Sequence, residues 1–456
     1  MALTAAVVRY SVIAYLASVA PDVALRLDGA QPTALRSVAE RLVADIERMD
    51  GERRAQMVAP SSGGNTDAPP RLSQFAAPVD LLPPNAQRAR PSATPQGADP
   101  PASDERSINL RRARDLIERA IAAEPLDYQS LTLRGRIEEL LAGSSTVPEI
   151  AYRFYEAAAL ISPRASDAIY RLMLRDFAKA KYVEAAKHAD ILLRTLTSAG
   201  PAVHPVLARM AEIPEATDVV VGLLAAGPPW RSGFFSGLNA HITDARTPLT
   251  LLLRLRQAEH KVATGDLKPY LNFLVGKGFN ELAYYTWLQF LPPERLASTG
   301  LLYNGGFDAT PSGFPFDWTI SAGAGTTAGI LPIPGEAGQQ GLRVDFTSGR
   351  VQFGGVAQIL LLSPGNYRLT GRYRGALDGK RGLRWRVICR SGKSLGETEM
   401  QTGLVPSWRE LDLDFAVPAS GCDAQEVRLL LDARSSSEQL VRGSIWYDDL
   451  AINVAR

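Results

Sequence analysis

The hydrophobic pattern of this chain changes period near residue 300, and no single fold serves both halves. Before that point apolar residues recur at helical spacing. Leu35, Val38, Ala39, Leu42 and Ile46 form one stripe, and Leu110, Ala113, Leu116, Ile117 and Ile121 another. Beyond it they alternate. Tyr367, Leu369, Gly371 and Tyr373 interleave with Arg368, Thr370, Arg372 and Arg374; Leu383, Trp385, Val387 and Cys389 interleave with Arg384, Arg386 and Ile388; Leu411, Leu413 and Phe415 enclose Asp412 and Asp414. A period of two marks a strand with one buried face. Turn signals at Pro364-Gly365-Asn366, Asp378-Gly379, Ser391-Gly392-Lys393 and Pro406-Ser407 separate short strands. The expected fold class is multidomain α and β: an α-helical solenoid followed by an antiparallel β-sandwich.

Four segments follow from this. Residues 1–50 read as a helical pair, broken at Pro21-Asp22 and reopened by Pro32. Residues 51–105 read as a linker, because ten prolines fall between Pro60 and Pro101 among Gly, Ser, Ala and Gln. Within it, Val79-Asp80-Leu81-Leu82 is either a short docking motif or an isolated apolar cluster. Residues 106–297 read as helical repeats, with Pro125 and Pro163 spaced 38 residues apart at equivalent turns. The last pair runs Tyr270–Gly276 and Phe279–Leu291, with Phe279, Ala283 and Trp287 facing inward. Residues 298–456 are the sandwich.

The N-terminus has two readings. Ala5–Ala20 is apolar except for Arg9, too short for a membrane span. It suits the core of a signal peptide with Ala17-Ser18-Val19-Ala20 as a small-residue site, although Pro21 would follow the cut. It equally suits a plain amphipathic helix. Membrane association through this segment is open on either reading.

Two resemblances attach to particular residues. Ala157 and Ala158, Pro163 after the helix, and Tyr182-Val183-Glu184-Ala185-Ala186 resemble the tetratricopeptide repeat. Asn304-Gly305-Gly306-Phe307-Asp308 followed by Phe316-Asp317-Trp318, together with Ile445-Trp446-Tyr447-Asp448-Asp449-Leu450 at the other end, resembles the jelly-roll carbohydrate-binding modules of the family 4/9 type. The combination is similar to proteins that accompany bacterial exopolysaccharide machinery. The resemblance implies a structural calcium where the ends of the domain meet, held by Asn304, Asp308, Asp448 and Asp449. Asp308 stands where the family has a longer Glu.

The two cysteines, Cys389 and Cys422, fall in the same β segment. They form either a disulfide, as in an oxidising compartment, or two buried thiols. The aromatic residues of the strands share the inward side with the aliphatics, so a sugar site on the sheet would rest on Arg368, Arg372, Arg374, Arg384 and Arg386, with Gln352 and Gln358 beside them. Guanidinium groups bind carboxylate or sulfate in a two-pronged fashion, which suits an acidic polysaccharide. The other reading is a solvated face with Asp412 and Asp414 pairing across strands.

A formal charge of +2 over 456 residues excludes a dedicated nucleic-acid binder. His188, His204, His241 and His260 are scattered singly, and no nucleophile elbow or phosphate loop occurs. The expectation is a non-catalytic accessory protein of the bacterial envelope. It would bind polysaccharide through the sandwich and protein partners through the repeats, in the periplasm or on the inner membrane facing it; a cytoplasmic location remains open. The alternatives are a protein–protein scaffold without sugar affinity and, more remotely, a glycan hydrolase.

Overall fold

A computed structural model describes residues 2–58, 101–143, 146–296, 299–347 and 349–455. The Val79–Leu82 cluster lies outside the described residues, as does most of the proline-rich segment. The chain forms two compact units, one drawing on residues up to 234 and 241–244, the other on 235–240 and 245 onward.

The first unit is a stack of helices, each packed on the next: α1 (Ala2–Val19), α2 (Pro21–Leu27), α3 (Pro32–Val58), α4 (Pro101–Ala123), α5 (Tyr128–Ala142), α6 (Glu149–Ile161), α7 (Ser166–Ala178), α8 (Tyr182–Thr195), α9 (Gly200–Ala211) and α10 (Pro214–Ala225). Pro32 opens α3, as expected of a proline at a first helical position. The helices flanking the proline-rich segment run further into it than the sequence suggested, to Val58 on one side and from Pro101 on the other. The predicted stripes face inward and meet: Leu35, Ala39 and Val43 of α3 pack with Ala113, Ile117 and Ala120 of α4 and Ile137 of α5. Asp127 caps α5, its carboxylate accepting from the Gln129 N–H and the Ser130 hydroxyl and pairing with Arg36 of α3. Burial alone would raise the Asp127 carboxyl, but the Ser130 hydroxyl and the Arg36 guanidinium hold it below the usual carboxylate range. Gly135 is required where it stands, since a Cβ there would come 2.6 Å from the ring of Tyr155 on α6.

The second unit begins with helices. After α11 (Arg231–Leu238) come α12 (Thr247–Gln257), α13 (Thr264–Gly276), α14 (Asn280–Gln289) and the single turn α15 (Pro293–Leu296). Ala283 and Trp287 of α14 are buried as expected, but Phe279 is 56 % exposed. It sits just ahead of the helix and turns outward. The Trp287 ring meets Tyr303 edge-on at 5.0 Å and Phe316 at 5.7 Å, and Tyr284 meets Phe316 at 5.2 Å. This aromatic cluster ties α14 to the entry of the sandwich, so α12–α14 belong to the β unit and not to the earlier stack.

The sandwich has ten strands in two antiparallel sheets among the described residues. One sheet, order β1-β4-β9-β6-β7, comprises β1 (Thr319–Ser321), β4 (Gly355–Leu360), β9 (Gln425–Leu431), β6 (Leu383–Cys389) and β7 (Ser394–Glu397). The other, order β2-β3-β10-β5-β8, comprises β2 (Thr326–Pro332), β3 (Gln340–Phe346), β10 (Val441–Val454), β5 (Gly365–Gly379) and β8 (Gly403–Val417). The alternating residues meet between the sheets: Leu342, Val344, Leu369 and Tyr447 from one side pack against Val356, Trp385, Val387 and Leu429 from the other. Cys389 and Cys422 are disulfide-bonded within this core, with a Cα–Cα distance of 5.1 Å. No helix among the described residues is long and apolar enough to cross a membrane.

Candidate functional site

The site is built by an irregularity in the edge strand β8. Tyr373 of β5 pairs with Arg409, but Gly375, two residues on, pairs with Val405, so β8 carries extra residues opposite Arg374. Pro406-Ser407 falls inside this bulge. Read as a turn in the sequence, the pair instead interrupts one long strand, at the kind of edge position where a missing N–H costs no ladder bond. The bulge re-aims Trp408 over the outer face of its sheet. There the Arg372 and Arg374 guanidinium groups lie 4.5 and 4.7 Å from the indole ring centre. The β2–β3 loop reaches across and fixes the indole from above: Trp408 Nε1 donates to Glu336 Oε1 at 2.7 Å. The same loop accepts from Arg374 at the Pro334 carbonyl, 3.0 Å.

Strand β10 supplies the rest. Asp448 stands opposite Arg372 in register and accepts from it at 2.7 Å. Burial pushes the Asp448 carboxyl above its ordinary range, against the pull of Arg372. Simple alternation would place Asp449 on the opposite face. It has φ +52°, at a register break in β10, and its carboxylate also reaches Arg372, at 2.8 Å. Three carboxylates therefore converge on two guanidinium groups, with Glu336 3.6 and 3.4 Å from Arg372 and Arg374. This end of the face has no surplus positive charge. Beside it, Arg343 lies over Trp446 at 5.4 Å and pairs with Asp345. At the other end, Asn366, Arg368, Thr370, Asp414 and Asn453 line an open depression of about 630 Å³. Arg368 pairs with Asp414 across the strands at 2.5 Å, and that hydrogen bond holds the Asp414 carboxyl below its usual range.

The structure thus corrects the arginine face expected from the sequence. Arg368, Arg372 and Arg374 lie on the outer face of the β5 sheet. Arg384 and Arg386 lie on the outer face of the β6 sheet, on the other side of the sandwich, paired with Asp432 and Glu397. The five therefore share no single face, and each has a carboxylate partner. Gln358 is also no ligand residue. It is 2 % exposed, and its amide accepts from Tyr303 N–H at 2.9 Å and donates to Tyr303 C=O at 2.8 Å. Gln352 is exposed on the segment before β4, where its backbone N–H bonds Ala324, apart from the residues that converge on Trp408. Trp408 itself escaped the sequence reading, hidden beside a turn signal.

The ends of the sandwich meet beside the residues assigned to calcium, by backbone contacts of their neighbours. The Leu450 N–H donates to the Gly305 carbonyl at 2.9 Å, and a Cβ on Gly305 would come 1.8 Å from the Leu450 oxygen. Asn304 adopts φ +51°; its side chain closes on both backbone groups of Ala309, and its carbonyl accepts from Trp318 Nε1 at 2.8 Å. A cation does not fit this donor set. Asn304 Oδ1 is taken by an N–H, Asp448 and Asp449 are taken by Arg372, and Asp308 is exposed. Among the described residues no three His, Cys, Asp or Glu side chains group as metal ligands do.

No protein family matches the chain, and no curated protein does. Solved structures with some likeness include an arabinose-bound α-L-arabinofuranosidase (14 % identity, 35 % of this chain, TM-score 0.27), of whose length this chain spans only 27 %. Others are a family 61 carbohydrate-binding module in complex with β-1,4-galactotriose (16 % identity, 35 % of this chain and 100 % of that one, TM-score 0.25) and a family 4 module (11 % identity, 34 % and 99 %, TM-score 0.25).

Proposed function

We propose that this is a non-catalytic polysaccharide-binding protein of the bacterial envelope, and that the outer face of the β5 sheet is its glycan surface. The carrying observation is Trp408, an indole extruded by a bulge and held by Glu336 among ion-paired guanidinium and carboxylate groups. Sugars present apolar C–H faces and rows of hydroxyls that both donate and accept. An aromatic ring beside paired Arg and carboxylate groups matches both requirements. Because the three carboxylates outnumber the two guanidinium groups, the surface disfavours an acidic glycan, and the preferred ligand is a neutral one. The neighbouring depression, with Asn366, Thr370 and Asn453, extends the polar surface along the sheet.

The helical stack is the part we assign to protein partners, as a tetratricopeptide-like scaffold would be used, in exopolysaccharide biosynthesis or export. The disulfide supports a location outside the reducing cytoplasm, which we take to be the periplasm. Affinity electrophoresis of the full chain through gels containing neutral or acidic polysaccharides tests the glycan reading. Retardation by a neutral glycan, lost in Trp408→Ala, is expected. Failure to bind any glycan leaves the scaffold reading; release of reducing ends would favour the hydrolase.

A further inference from the structure

The loop between β2 and β3 lies across the outer face of its sheet. Residues 333–339 close on themselves: the Ile333 N–H donates to the Gln339 carbonyl at 3.0 Å, Glu336 N–H to Ile333 at 3.1 Å and Gln339 N–H to Glu336 at 3.2 Å. Ile333 is buried, and the loop beyond it is exposed save for the half-buried Glu336. Its polar contacts reach outward strand by strand. The Gln339 side chain accepts from Arg372 of β5 at 3.4 Å, the Pro334 carbonyl from Arg374 of β5 at 3.0 Å, and Glu336 from Trp408 of the edge strand β8 at 2.7 Å. In the order β2-β3-β10-β5-β8 the step from β3 to β8 is three strand spacings, about 14 Å. The loop therefore divides the face across its breadth, at the level of Arg372 and Arg374.

The two sides of this barrier differ. On one side lies the open depression with Asn366, Thr370 and Asn453. From Asn366 to Arg372 the face runs about 20 Å along β5, against about 10 Å across β10, β5 and β8, so its long axis points at the loop. On the other side β5 continues to Gly379, where Asp378 and Arg442 pair at 2.7 Å, both exposed. We propose that this face takes the end of a neutral glycan chain and not its middle. The proposal rests on the glycan reading of Trp408 and adds where the chain must stop. A chain lying in the depression meets the loop after its last sugar. There Asp449 is 64 % exposed, with its carboxylate beside Arg372. A terminal sugar carries a free hydroxyl where an internal one carries the next linkage, and a carboxylate accepts such a hydroxyl in a charge-assisted hydrogen bond. An internal sugar has no donor at that position, and its neighbour would collide with the loop.

The test takes a soluble neutral polysaccharide that retards the full chain in gels and cuts it by partial acid hydrolysis to about ten times as many chain ends. Cut and uncut material then compete, at equal mass, with the gel-bound polymer. For an end-binding face the mass needed for half-maximal release should fall about tenfold, in step with the ends. An unchanged or larger mass overturns the proposal and leaves the glycan surface standing, whereas retardation by no neutral polysaccharide overturns both. Two variants locate the chain, with the fluorescence melt of the sandwich checking that each folds. Thr370→Arg fills the depression and should weaken binding at least tenfold, while Asp378→Ala, beyond the loop, should leave it within about twofold. Binding untouched by Thr370→Arg, or weakened as much by Asp378→Ala, would mean that the chain does not stop at the loop and overturns the proposal as well.

Discussion

Removing the disulfide should weaken one unit of the chain and leave the other untouched. Cys389 and Cys422 are 33 residues apart and both at most 5 % exposed. Closing a loop of that size removes chain entropy from the unfolded state worth roughly 3.5–4 kcal/mol at 25 °C. For a domain of this size a loss of that order lowers the melting temperature by about 7–15 °C. Five of the six tryptophans, Trp287, Trp318, Trp385, Trp408 and Trp446, lie in the β unit, and only Trp230 lies elsewhere. Tryptophan fluorescence therefore follows the sandwich, while helical circular dichroism mainly follows the stack. The double variant Cys389→Ser/Cys422→Ser should shift the fluorescence transition by the stated amount with the dichroism transition fixed. Because the sulfurs are buried, a reductant should act on wild-type protein only as the sandwich opens. Two reactive thiols in protein unfolded without reductant would refute the bridge. A fluorescence transition within about 2 °C of wild type would refute the energetic argument.

Other outcomes follow from the same geometry. Gly305→Ala places a Cβ against the Leu450 carbonyl and should cost the β unit about 3 kcal/mol in urea unfolding, a loss no side-chain rotation can relieve. Asp127→Ala removes the α5 cap and its Arg36 pairing, and should cost the helical stack about 1–2 kcal/mol. Since the folded state holds the Asp127 carboxyl below its ordinary value, its contribution is complete above about pH 4 and fades as pH falls through the depressed value; the variant's acid melt should lack that component. Chelator or added calcium should leave the thermal transition of the β unit unchanged, because Arg372 occupies the carboxylates a cation would need.

The sequence carried the two-part build because periodicity is a local property, written into every few residues. Leu369 and Trp385 were readable as inward simply from their neighbours. What alternation cannot say is which sheet a strand joins. Arg372 and Arg386 sit on consecutive strands and look alike in the sequence. Yet β5 pairs with β10 and β8, and β6 with β9 and β7, so they finish on opposite sides of the sandwich. The bulges were equally hidden. Pro406-Ser407 has the composition of a turn, and only the ladder on both sides of it shows one strand continuing past Trp408. Likewise the left-handed Asp449 brings its carboxylate to the side that strict alternation denies it. The motifs at the two ends were legible as a pair, but their meeting is made by Gly305 and Leu450 through the backbone, where side-chain chemistry gives no hint.

That meeting has a consequence for how the sandwich comes into being. Strand β10 is central in its sheet, bonded to β3 on one side and β5 on the other, yet among the described strands of the sandwich it comes last in chain order. Until residues 441–454 arrive, β3 and β5 each present an unpaired backbone edge, the template on which foreign strands add. The long loops that must close first make such assembly slow. A chain cut short before residue 441 would therefore be no smaller sandwich lacking a strand. It would leave β2–β3 and β5–β8 as two separate pairs, each with an open edge, and the Cys389–Cys422 bridge, which serves the opposite sheet, would not join them.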